Sequence, residues 1–415
     1  MKRSTVVAFV AAACVLAAGT ALTRFGVTLR AQAAGPIFPV PLAPGARRPV
    51  QLKTARVPPV SEAQLTDAQR AILAKYKAGV RPGNAIRTLV TVPAMVDGLF
   101  PFQEYIAHQS SLPARQRELL ILRTTWLLNN DVIWSEHAEA AKQAGLAGGD
   151  LRRIAQGPSA AGWTPFESTL LRMADELFRN ASITDATWTS ISGSLDMFGQ
   201  LDAVMTVCDF TTAGLLYNTF GVQPDAWFSE RIPQDVPYTV TVPAREPALR
   251  VARIQPVAGT GLAIARTFAN YPKLAEPRQT GPNYVNSVST LDPRRREILI
   301  LRTGWNAQAE YEWAQHVGSV GRAREKGLDP LKIAEGPLAS GWSPLDRALL
   351  TAADELWTQS LVSENTWTGM TQGLDVTGRM NAIITAANYR MVSMALNALG
   401  VQMDPGDEGW PRRSR

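Results

Sequence analysis

The chain has 415 residues, 46% hydrophobic and 19% charged, enough for more than one globular core. Its formal charge of +6 includes Lys2, Arg3, Arg24 and Arg30 near the N-terminus, so the remainder is close to neutral and gives no reason to expect a nucleic-acid partner. There are two cysteines; Cys14 lies in the N-terminal segment, which leaves Cys208 without an intrachain disulfide partner.

Residues 1–33 read as an export signal: Lys2-Arg3, an apolar Ala-rich run from Thr5 to Leu22, then Ala31-Gln32-Ala33 as a small-residue cleavage site. The apolar run is barely long enough to span a bilayer, so an uncleaved membrane tether is the alternative. Either way the chain is expected outside the cytoplasm, periplasmic or secreted. Residues 34–60 are Pro-rich and read as a linker or an arm laid on the domain. Helical runs follow at Asp67–Lys77, in RQRELLILRTTWLL and in DVIWSEHAEAAKQAG. Thr164-Pro165-Phe166-Glu167 is a capping box that opens another helix. A shorter helix runs from Thr184 to Ile191, and a long apolar one from Leu201 to Phe220 stops at Gly221. Residues 224–258 are a second Pro-rich linker, in which YTVTVPA is a short strand or an extended arm. The helical order then repeats, and residues 406–415 form a basic tail. The expected fold class is all-α, with domains at 61–223 and 259–405.

The repeat is explicit. Residues 179 apart match at Arg87-Thr88 and Arg266-Thr267, Glu118 and Glu297, Arg123-Thr124 and Arg302-Thr303, and Trp126 and Trp305. They match again at Trp134 and Trp313, Gly157-Pro158 and Gly336-Pro337, and Asp175-Glu176-Leu177 and Asp354-Glu355-Leu356. A period this long marks a duplicated domain.

The chain has three histidines, and His137 and His316 occupy the same place in the two copies. Glu312 stands four residues before His316, on the same face of a helix, where a carboxylate raises and orients an imidazole for proton transfer. Copy one has Ile133 there, so it is a weaker site or a structural partner. Glu118 and Glu297 lie 19 residues before their histidines on apolar helices, as buried ion-pair members or as general acids or bases. Arg123 and Arg302 read either as partners of those carboxylates or as clamps for an anionic substrate. Asp131 and Glu310, Tyr311, and the indoles Trp134 and Trp313 complete the set of pocket candidates. Without a third nearby ligand, Glu312 and His316 make no metal site.

LPARQRELLILRTTWLLNNDVIWSEH and LDPRRREILILRTGWNAQAEYEWAQH resemble the carboxymuconolactone decarboxylase and alkylhydroperoxidase D-like superfamily, over residues 85–222 and 264–401. The resemblance implies two tandem helical domains forming a pseudo-dimer that assembles further into a homo-oligomer, with a small-molecule pocket between helices. It carries the family's acidic residue to Glu118 and Glu297 and its histidine to His137 and His316. The Cys-x-x-Cys of the redox branch is absent: those places hold Asn130 and Ile133, or Ala309 and Glu312. What remains resembles the thiol-free branch, which needs no cofactor and performs decarboxylation, isomerisation or elimination on a lactone or carbonyl compound. Two other readings stay open, a thiol-dependent peroxidase using Cys208 and a non-catalytic exported binding protein.

Overall fold

The computed structural model describes residues 47–77 and 81–411. Residues 1–33, expected to be an export signal, part of the expected 34–60 linker and the end of the expected basic tail lie outside the described residues. Pro39–Gly409 form one compact unit. Every regular element among the described residues is helical. The first copy contains α1 (Asp67–Lys77), α2 (Asn84–Leu89), α3 (Pro93–Gln109), α4 (Ala114–Leu128), α5 (Asp131–Gln143), α6 (Gly148–Gln156), α7 (Pro165–Asn180), α8 (Asp185–Ser192) and α9 (Met197–Phe220). The second contains α10 (Ala263–Phe268), α11 (Pro272–Asn283), α12 (Pro293–Asn306), α13 (Glu310–Val317), α14 (Pro330–Glu335), α15 (Pro344–Gln359), α16 (Glu364–Gly369) and α17 (Val376–Leu399). Among the described residues no helix is long and apolar enough to cross a membrane.

Local chemistry sets the helix ends. At α7 the Thr164 hydroxyl accepts from the Glu167 amide at 3.2 Å, and the Glu167 carboxylate accepts from the Thr164 amide at 2.9 Å. Asn129 and Gln308 end α4 and α12 in the same left-handed turn, each with φ of 51°. α9 and α17 have 24 residues each and are buried along nearly their whole length. A helix apolar all round is stable only inside a jacket of other helices, and that is where both lie.

The two copies meet along like helices, α9 against α17 and α3 against α11. Thr212 on α9 donates to the Ala387 carbonyl on α17 at 3.2 Å. Thr280 on α11 donates to the Gly98 carbonyl on α3 at 2.7 Å, and a side chain at Gly98 would strike Tyr284. The arms cross over reciprocally. Arg56 stacks on Trp367 and pairs with Glu364 of copy two, while Arg253 stacks on Trp188 and pairs with Asp185 of copy one. The YTVTVPA segment is an extended arm: Tyr238 stacks on Trp126 and donates to the Leu127 carbonyl at 2.6 Å.

Arg390, buried on α17, ties the copies together. It donates to the Phe178 carbonyl at 3.0 Å and the Leu356 carbonyl at 2.9 Å, both in the last turn of a helix where carbonyls lack helical partners. Arg390→Leu should destabilise the protein by about 2–4 kcal/mol, because it strands both acceptors in the core. A chemical-denaturation midpoint that does not move would contradict this role.

Candidate functional site

His316 sits on α13 with its ring almost wholly buried. Its Nδ1 lies 2.7 Å from Glu297 Oε2 on α12, and its Nε2 lies 2.9 Å from Glu312 Oε1 one turn back on α13. The first contact is an aligned hydrogen bond. The second is a close ion pair with a less well aligned hydrogen bond, in which Glu312 acts on the ring chiefly through its charge. Burial disfavours the imidazolium, but Glu312 and Glu297 outweigh it and push the pKa up to about 9. Burial would likewise raise the Glu297 carboxyl; His316 and Lys326 reverse this and hold it below its ordinary value.

The local sequence explains how this charge cluster is closed. Copy one continues α5 to Gln143, whereas copy two breaks α13 after Val317 and enters a glycine-bearing loop. That loop brings Lys326 Nζ to 3.0 Å from Glu297 Oε1. Gly321 packs so closely that an added Cβ would lie 2.5 Å from Glu297 Oε2. On the other side, α11 runs into a π-helical turn at Tyr284–Val288. Such turns recur near functional groups. This one presents Asn286, which donates to the Tyr389 hydroxyl at 2.8 Å, and Tyr389 meets the His316 ring edge-on at 4.9 Å.

A cavity of about 290 Å³ opens beside the histidine, with Glu312, His316, Tyr389 and Arg278 in its wall. Leu262, Ile264, Ala265, Val320 and Val392 make much of the remainder apolar. Arg278, on α11, is 4% exposed and lies over Phe268 at 4.1 Å. Its Nε has no hydrogen-bond partner, and it forms no ion pair among the described residues. Burial pushes its pKa down to about 10, which leaves it cationic at neutral pH.

Copy one keeps the frame but not these charges. His137 Nδ1 lies 2.7 Å from Glu118 Oε2, and its ring meets Phe210 edge-on at 4.9 Å. The positions that correspond to Glu312, Arg278 and Tyr389 hold Ile133, Leu99 and Phe210.

The structure therefore joins Glu297 to His316, and Glu118 to His137, pairs that spacing alone did not connect. Other expectations are corrected. Arg123 and Arg302 are not clamps and do not pair with Glu118 or Glu297. Arg302 grips Asp354 through two bonds of 2.6 and 2.9 Å and donates to the Ile333 and Ala334 carbonyls. Arg123 does the same with Asp175, Ile154 and Ala155. Trp313 packs on Trp305 at 5.3 Å, and neither Trp313 nor Trp134 lines the cavity. Tyr311 does line it, but its hydroxyl proton is committed to Asp404 at 2.7 Å. Glu310 borders a separate cleft, and Asp131 accepts from the Ile232 amide at 2.8 Å, fastening the linker. Arg278 was missed. Its signal was a charge at a position where the other copy has leucine.

The model of the carboxymuconolactone decarboxylase family matches residues 93–176, from the start of α3 into α7 and including Glu118 and His137. Comparison with curated proteins and with solved structures finds no match.

Two substitutions test the geometry. Arg302→Leu should cost about 2–4 kcal/mol in denaturant unfolding, because it leaves the half-buried Asp354 without its two-bond partner and the Ile333 and Ala334 carbonyls without a donor; an unchanged midpoint would restore the clamp reading. Gly321→Ala should destabilise by about 1–3 kcal/mol through clashes with the His316 backbone and the Glu297 carboxylate, and a wild-type melting curve would show that the loop does not close on this histidine turn.

Proposed function

We propose that this chain, which belongs to the carboxymuconolactone decarboxylase and alkylhydroperoxidase D-like superfamily, is a cofactor-independent enzyme that moves protons on a small lactone or carbonyl compound. The observation that carries this reading is His316, buried between Glu297 and Glu312 in the wall of a cavity. At neutral pH the pair is carboxylate and imidazolium. A carbon acid bound beside it gives its proton to Glu312, and His316 delivers its own proton to the developing oxyanion or to a second carbon. Transfer from Glu312 back to His316, across 2.9 Å, restores the starting state. Glu297 and Lys326 hold the ring in place. Isomerisation and elimination use both transfers, whereas decarboxylation releases CO2 by breaking a carbon–carbon bond and uses only the proton that His316 gives to the resulting carbanion, which solvent then replaces.

In this reading copy one is the structural half of an intramolecular pseudo-dimer. The meeting of like helices and the reciprocal arginine arms support it, since a twofold interface pairs each surface with its own counterpart. Export through the N-terminal segment, with or without a retained tether, and further homo-oligomerisation belong to the same proposal.

Thiol peroxidase chemistry has little to support it here. Cys208 is fully buried on α9, and burial pushes its thiol far above the range in which a thiolate forms. Against a non-catalytic binding role, His316 differs from His137 in having a second carboxylate, Glu312, beside its ring in the wall of a cavity.

The test is solvent-deuterium incorporation at acidic carbon positions, followed by NMR across a panel of lactones and keto acids. His316→Gln should lower the rate by about 10²–10⁴-fold with the helical spectrum unchanged. His137→Gln should stay within a few-fold of wild type. Equal rates in wild type and His316→Gln would defeat the assignment.

A further inference from the structure

We propose that Arg278 is the specificity-determining residue of the copy-two cavity and selects a ligand with a single anionic group on an apolar body. This rests on the reading that the His316 cavity is the working site. It goes beyond that reading by naming what the cavity admits.

The argument begins with charge matching. Among the buried groups around the ring, Glu297 faces both His316 and Lys326, and Glu312 faces His316. Two carboxylates are thus set against two cations. Arg278 remains over, with no ion pair among the described residues and an Nε that meets no acceptor. Its one side-chain contact to an acceptor is Gln279 Oε1, at 3.4 Å. Glu312 reaches Arg278 only through its charge, which it shares with His316, and a guanidinium withdrawn from water with no carboxylate bonded to it is unstable unless something else supplies the anion. Arg278 lines the cavity, so a ligand can supply it.

The second strand is the comparison inside the chain. Copy one is built on the same helices and has Leu99 at this place. The fold therefore does not need an arginine here. The charge appears only in the copy where Ile133 is replaced by Glu312, that is, where the proton-transfer pair is complete.

The third strand is the shape of the wall. Leu262, Ile264, Val320 and Val392 line the cavity with Arg278 and the histidine, beside the uncharged amides of Gln279, Asn286 and Gln315. A cavity of about 290 Å³ with this lining suits a small aryl or branched-chain monocarboxylate. A second negative charge would meet these side chains or Glu312, or would compete with Glu312 and Glu297 for the His316 imidazolium they already neutralise. The guanidinium fork accepts a carboxylate through two bonds and so fixes the ligand's direction as well as its charge. That leaves the carbon skeleton beside Glu312 and His316.

Calorimetric binding to the full chain tests this without turnover. The probes are phenylacetate and isobutyrate, each against its amide, with malonate as the dianion. Wild type should bind each monocarboxylate about tenfold or more tightly than its amide, as expected when one buried partner is charged, and should bind malonate weakly. Arg278→Leu, the residue of copy one, should erase the preference, and Arg278→Lys should keep part of it. Because Arg278→Leu can also disturb packing, the acid-to-amide ratio in wild type is itself decisive. Equal binding of acid and amide, no binding of either monocarboxylate, or tighter binding of malonate would overturn the proposal. His316→Gln separates the two readings. A preference that persists there while wild type shows no proton exchange would keep Arg278's role and remove the catalytic one. Proton exchange without any acid preference would do the reverse.

Discussion

A histidine buried between two carboxylates constrains everything around it. Each of these charges, taken out of water alone, would destabilise the fold by several kcal/mol. Together they hold because α12 and α13 approach closely enough for a 2.7 Å bond from His316 to Glu297, and because one turn of α13 carries Glu312 to the other side of the ring. The loop after Val317 adds Lys326 and fits only because Gly321 has no side chain. The result is an imidazolium kept charged in a place that would otherwise neutralise it.

The surrounding frame is common to both halves of the chain, and the chemistry is not. The ion pairs Arg123–Asp175 and Arg302–Asp354 recur at the same positions and tie α4 to α7 and α12 to α15, while the same arginines reach carbonyls in the last turns of α6 and α14. The histidine–glutamate bond recurs as well. What differs is a small set of side chains facing the histidine: leucine, isoleucine and phenylalanine in one copy, arginine, glutamate and tyrosine in the other. At matching positions a few different side chains give the second of these helix sets a polar pocket.

Much of the frame was legible in the sequence, because helix ends are local. Thr164 with Glu167, Ser343 with Asp346, and Gly221 and Gly400 mark boundaries that the structure keeps. The two histidines and their helix-sharing glutamate were legible for the same reason. Contacts across the fold were not. Asp175 is 52 residues from Arg123, so nothing local showed that the arginine was already occupied. Arg278 sits in a helix interrupted by Pro277 and Pro282, where apolar periodicity is weak, and its burial depends on packing against Phe268. Tyr311 lines the cavity, but Asp404, which accepts its hydroxyl proton in a hydrogen bond, comes from the far end of the chain.

The central claim is that Glu297 and Glu312 keep His316 charged, and the most direct measurement is its ring titration by NMR, assigned against His316→Gln. The account predicts a pKa near 9, well above the ordinary 6.5, because the two carboxylates overcome burial. In Glu312→Gln the value should fall toward the ordinary one. A ring that titrates at or below 6.5 in the wild type, or one that ignores the loss of Glu312, would contradict it.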